Sequence, residues 1–172
     1  MNRISALALT GLAAFALAAV PARAGEHRIG IGYHYFETVD RIHSPSGVDD
    51  KGHSVVFSYQ YLPGGLLRFE GDLERYADGY SGSTTTAWAP QAYVLLGRGV
   101  YGGVGVGITK SDFANGDTWS SPWYAAKVGL DLLLLPKIHL DINANYRNNA
   151  FNELGHASTD AVTLGASLRL AF

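Results

Sequence analysis

Between Lys137 and Arg147 the chain alternates without a fault. Ile138, Leu140, Ile142, Ala144 and Tyr146 fall on one side; His139, Asp141, Asn143, Asn145 and Arg147 fall on the other. A side-chain period of two belongs to the extended strand, so this run predicts a strand with one apolar and one polar face. The pattern recurs. In His27–Phe36, Ile29, Ile31, Tyr33 and Tyr35 oppose Arg28, Gly30, Gly32 and His34. In Gly52–Leu62, Val55, Phe57, Tyr59 and Tyr61 oppose Ser54, Ser58 and Gln60. Leu67–Tyr76 sets Phe69, Gly71 and Leu73 against Arg68, Glu70, Asp72 and Glu74. Weaker alternation covers Thr86–Leu96, Val100–Lys110, Pro122–Leu133 and Asp160–Phe172. The reading is an all-β chain of eight strands.

The connections alternate in length. Pro63-Gly64-Gly65, Gly97-Arg98-Gly99 and Leu135-Pro136-Lys137 make short turns, with positive φ expected at Gly97 and Gly99. Glu37–Lys51, Ala77–Thr85, Ser111–Ser121 and Asn148–Thr159 make four longer polar loops. Tight turns at one end and loops at the other describe an antiparallel up-and-down meander.

The first residues read as an export signal. Met1-Asn2-Arg3 is positive, Ile4 to Val20 is nearly unbroken apolar sequence, and Ala22-Arg23-Ala24 has the small-x-small form of a cleavage site. Residues 1–24 are therefore taken as a cleaved signal peptide, with the cut between Ala24 and Gly25, and 25–172 as one domain. Losing Arg3 and Arg23 makes the net charge of −2 two units more negative. No basic patch points to nucleic acid. The absence of cysteine excludes a disulfide scaffold and a cysteine-based zinc site.

The polar faces carry five cations, Arg28, Arg68, Lys127, Arg147 and Arg169, and five anions, Glu70, Asp72, Glu74, Asp131 and Asp141. The apolar faces carry Val, Leu, Ile and Ala between two sets of aromatics. Tyr33, Tyr35, Trp88, Tyr124 and Tyr146 lie toward the long loops; Tyr59, Tyr61, Phe69 and Phe172 lie toward the short turns. Two aromatic girdles around an aliphatic band are the pattern of a membrane-spanning barrel, apolar outside and polar inside. In hydrocarbon no backbone group can go unpaired, so the sheet must close. The expectation is an eight-stranded transmembrane β-barrel in the bacterial outer membrane. Both termini would be periplasmic, and a structural ion network would fill the lumen.

Counting back from Phe172, the alternate residues are Leu170, Leu168, Ala166, Leu164 and Val162. Leu168, Leu170 and Phe172 resemble the closing-strand signal of bacterial outer-membrane barrels. Together with the meander and the export signal they make the whole mature chain similar to the small eight-stranded outer-membrane proteins of the OmpA transmembrane-domain and OmpX type. The resemblance implies recognition by the barrel-assembly machinery, contact with outer-membrane lipids and lipopolysaccharide, and a monomer. It does not choose an activity, because such barrels host several. The expected role is non-enzymatic, structural or in surface interaction, with an unidentified loop partner; the alternatives are a narrow pore and a lipid A-modifying enzyme.

Three stretches bear on chemistry. Gly97-Arg98-Gly99-Val100-Tyr101-Gly102 matches the dinucleotide fingerprint G-x-G-x-x-G, but a strand pattern follows where a helix is needed. Gly103, Gly105 and Gly107 share one face and would face inward, leaving room for long side chains such as Arg68, Gln91, Tyr93 and Lys127. The lipid A deacylating barrels carry His-x-Ser on the penultimate strand, where this chain has Asn145 and Arg147. His43, His53 and His156, with Asp49 and Asp50, lie in or beside the loops, and their spacing matches no metal-site pattern. No catalytic residue, cofactor or metal is assigned.

Overall fold

The computed structural model describes residues 25–39, 51–77, 86–113, 116–148 and 160–172. The proposed signal peptide and loop residues His43, Asp49, Asp50 and His156 lie outside the described residues. The strands are β1 (Glu26–Thr38), β2 (Lys51–Gly64), β3 (Leu67–Tyr76), β4 (Ala87–Gly97), β5 (Val100–Gly107), β6 (Lys110–Phe113), β7 (Gly116–Trp119), β8 (Trp123–Leu135), β9 (Ile138–Asn148) and β10 (Ala161–Ala171).

All pairings are antiparallel. The wall runs β1-β2-β3-β4-β5-β8-β9-β10, and β10 returns to β1 from Arg28↔Ala171 to Thr38↔Ala161. The result is a closed eight-stranded barrel, so the wall has no unpaired edge. The start of β1, the end of β10 and the three short turns share one end.

The strand expected over Val100–Lys110 is divided. The β4–β5 ladder stops at Gln91↔Gly107 and resumes as β4–β6 at Trp88↔Lys110, in the same register. The cause lies on the neighbouring strand. Pro90 accepts from the Ile108 N–H at 3.2 Å but has no N–H to return. Above the gap, β6 and β7 form a hairpin with Lys110↔Trp119 and Phe113↔Gly116, inside what reads in sequence as a plain loop.

The turns differ in one respect from expectation. Gly97 takes φ 125°, but Gly99 is not in the left-handed region. Gly97 alone carries the reversal there; a Cβ on it would lie 2.7 Å from the Tyr101 Cα. In the β8–β9 turn Lys137 adopts φ 71°, a position the sequence does not announce with glycine or asparagine.

The barrel is apolar outside. Ile31, Val104, Val128, Leu164 and Leu168 are exposed, whereas Glu74, Lys127, Asp141 and Arg147 are 1% exposed or less. Tyr33, Tyr124 and Tyr146 stand exposed toward the loop end, and Tyr59, Phe69 and Phe172 toward the turn end. Across the closing seam, Phe172 stacks on His27 (5.9 Å), His27 on Tyr61 (4.9 Å) and Tyr61 on Phe69 (6.5 Å).

Candidate functional site: the charged bore

Strand β3 sends Arg68, Glu70, Asp72, Glu74 and Tyr76 inward on successive inward positions, so the bore is built in levels along it. At the turn end, Asp131 of β8 gathers three cationic or ionisable partners. Arg28 of β1 pairs with it closely, Arg68 Nη1 lies at 2.8 Å, and His139 Nδ1 at 2.8 Å. Arg68 also donates from Nε to the Gly97 carbonyl at 2.7 Å, and its guanidinium lies 4.9 Å from the Tyr101 ring centroid.

One level up, Glu70 meets Lys127 of β8 and Arg169 of β10, the latter at 3.2 Å, and Gln60 donates to it. Arg169 reaches Asp141 at 3.3 Å. Asp141 accepts from the Tyr101 hydroxyl at 2.7 Å and from Asn143 at 2.8 Å. Lys127 also holds Asp72 at 2.8 Å and lies 4.4 Å from the Tyr93 ring centroid. Nearer the loops, Glu74 binds Arg147 of β9, accepts from Ser54, faces His34 Nδ1 at 3.1 Å and accepts from Gln91 at 2.7 Å. Above these the bore turns apolar, with Phe36, Tyr76, Trp123 and the small Ala87, Ala89 and Ala161 packed together. Arg147 donates to the Tyr76 hydroxyl and lies 5.2 Å from the Trp123 ring centroid.

The structure therefore brings all nine lumen residues named from the sequence, Arg68, Glu70, Asp72, Glu74, Lys127, Asp131, Asp141, Arg147 and Arg169, into ion pairs, with Arg28 as a tenth. Most pairs cross the bore rather than link neighbouring strands. β3 contributes three of the five acids, and their partners come from β8, β9 and β10 on the far wall. Buried charges need this arrangement, because a single unpaired one is costly.

The inward glycines are explained by what stands across the ladder. Gly105 pairs with Tyr93, Gly107 with Trp123, Gly129 with Tyr101 and Gly165 with His34. A Cβ on Gly105 would lie 2.6 Å from Tyr93 Cε1, and one on Gly107 2.9 Å from Trp123 Cε2. Each glycine removes its side chain so that a ring can lie flat over the backbone. The space is filled: of the long side chains expected there, Tyr93 stands across from Gly105, Gln91 from Gly107 and Lys127 from Gly103. Tyr101 and Trp123 are inward rings that sequence reasoning did not name. Their signal was a large residue placed opposite a glycine, legible only once the register is known.

Among the described residues, no group of three His, Cys, Asp or Glu side chains could hold a metal. His53 lies outside the bore, stacked on Tyr33 at 5.1 Å. Asn145 and Arg147 both point inward, Asn145 donating to Asn143 at 3.1 Å.

Closure with eight strands, an apolar exterior and a charged bore settles the architecture. The fold is that of a small outer-membrane barrel. Neisserial surface protein A is similar in structure at TM-score 0.56 and 18% identity, over 86% of this chain and 97% of that one. Ail, the attachment invasion locus protein of Yersinia pestis, matches at TM-score 0.53 and 17% identity, over 87% and 100%. The N-terminal barrel domain of Pseudomonas aeruginosa OprF matches at TM-score 0.50 and 10% identity, over 87% and 100%. No protein-family model and no curated protein matches the sequence.

Proposed function

We propose that this barrel resides in the bacterial outer membrane as a non-enzymatic, plugged scaffold, with its termini in the periplasm and its four loops outside as a surface for interaction. The observation that carries the reading is the bore itself: successive levels of ion pairs from Asp131 to Glu74, closed toward the loops by Phe36, Tyr76 and Trp123. Such a core serves rigidity rather than passage. It offers no apolar channel for an acyl chain, and Asn145 and Arg147 supply no base and nucleophile. The barrel acts as a monomer in lipopolysaccharide and other outer-membrane lipids. Leu168, Leu170 and Phe172 serve as its signal to the barrel-assembly machinery.

The test is single-channel recording of the refolded protein in a planar bilayer. The plugged reading expects no conductance steps at moderate voltage. Regular steps would replace it with the narrow-pore reading. Release of fatty acid from lipid A by the same preparation would replace it with the enzyme reading.

A further inference from the structure

Along the outward positions His53–Tyr61 of β2, Phe69–Arg75 of β3 and Trp88–Leu96 of β4, one side chain among Asp, Glu, Lys and Arg occurs, and it is Arg75. Arg75 is exposed, and its partner among the described residues is the Trp88 ring, 5.9 Å from Cζ to centroid. It sits on the rung Val55–Arg75–Trp88 at the loop end of the apolar belt. A guanidinium on the lipid face can stay charged at that height by reaching the headgroup level, where an anion completes it.

Two rungs below Arg75, past Phe57, Leu73 and Pro90, the outer face is hollow. Tyr59, Gly71, Ala92, Val106 and Tyr124 form one rung across five strands, large at both ends and small in the middle. These five residues line a single apolar trough. A Cβ on Gly71 would meet nothing within 4 Å. On β3, four residues separate Gly71 from Arg75, about 13 Å along the strand and about 10 Å of depth at the tilt of such barrels. That lies within one leaflet of a hydrocarbon core about 30 Å thick.

We propose that Arg75 and this trough together bind one phosphorylated glycolipid, the lipid A part of lipopolysaccharide, with a phosphate on Arg75 and an acyl chain along Gly71 and Ala92. The choice of lipid A rests on the proposed topology, which puts the loop end in the outer leaflet. The cation at headgroup height and the small-residue hollow one acyl segment beneath it are complementary to the two ends of such a lipid.

Native mass spectrometry of the refolded chain tests this with three probes: diphosphoryl lipid A, its dephosphorylated form, and phosphatidylglycerol. The expected result is one diphosphoryl lipid A retained per chain, with both other probes held more weakly. Arg75→Gln should lower its retention about fivefold, the worth of one cation at a membrane surface. Gly71→Leu, which fills open space and leaves the barrel intact, should also lower it, and Ile142→Leu on the far wall should not. Urea resistance of each variant confirms its folding. Equal retention of the dephosphorylated form or of phosphatidylglycerol would overturn the proposal, as would wild-type retention by either Arg75→Gln or Gly71→Leu. Conductance, which tests the plugged reading, is measured separately and is unaffected by either outcome.

Discussion

Gly105 stands on β5 directly across from Tyr93 of β4, and its replacement by alanine measures how tightly the bore is filled. The new Cβ would lie 2.6 Å from Tyr93 Cε1 and 2.7 Å from the Ala92 carbonyl oxygen. That is about 1 Å inside ordinary carbon–carbon contact. The ring cannot simply swing away. Its hydroxyl donates to Gln91 at 2.6 Å, and Lys127 Nζ lies 4.4 Å from its centroid. Overpacking in a tight core costs about 1–3 kcal/mol and a displaced hydrogen bond about 1 kcal/mol, so Gly105→Ala should destabilise by about 2–4 kcal/mol. Gly71→Ala on the outer face meets nothing and replaces a flexible residue in a strand. It should be neutral or stabilising by up to about 1 kcal/mol. Both are read from equilibrium urea unfolding in lipid vesicles by linear extrapolation. In a Tyr93→Leu background the cost of Gly105→Ala should fall by more than half, leaving the carbonyl contact. Equal effects at 105 and 71, or an undiminished cost without the ring, would refute the paired packing of glycine and ring.

Lys127→Met strands Asp72 in the bore and leaves Glu70 to Arg169 and Gln60; it should cost about 3–5 kcal/mol, while Arg98→Met at the exposed turn should stay within about 0.5 kcal/mol, and indistinguishable unfolding curves would mean the bore is solvated. Val106→Arg, in mid-belt, should cost about 2–4 kcal/mol and Val100→Arg, at the turn end, about 0–1 kcal/mol, with similar values in vesicles counting against the membrane-spanning reading. Pro90→Ala returns a donor opposite the Ile108 carbonyl, and hydrogen exchange should show the new amide at 90 protected; rapid exchange there would mean that the break has another cause. Deleting Phe172 should lower the amount inserted in the outer membrane while export continues, and normal insertion would remove that residue from the assembly signal.

The strands and their facing were legible because the polar and apolar faces alternate at single-residue resolution. His139 to Arg147 leaves no second way to place β9. The closed form followed from aromatics set at the strand ends, which point to lipid around the barrel, and the ion network from equal numbers of charges of both signs. What stayed hidden depends on residues far apart in sequence. The gap at Ile108 and Thr109 is caused by Pro90 on another strand, and nothing local to Ile108 records it. The glycines of β5 promise room for long side chains, but that rings lie flat over them shows only when Tyr93 and Trp123 are seen across the ladder. The acids of β3 could be marked as a charged row, but their individual partners depend on how far each side chain reaches over the bore.

That reach has a consequence for how the barrel comes into being. Arg28 and Asp131 are 103 residues apart in the chain, Arg169 and Glu70 are 99 apart, and Arg147 and Glu74 are 73 apart. A half-made sheet, however well hydrogen-bonded, holds the acids of β3 with nothing opposite them. The counter-charges arrive when the far wall swings round and β10 meets β1. The ion pairs thus act as a latch that engages at closure. An open sheet is left with its charges exposed, and the cylinder forms or fails as one cooperative event.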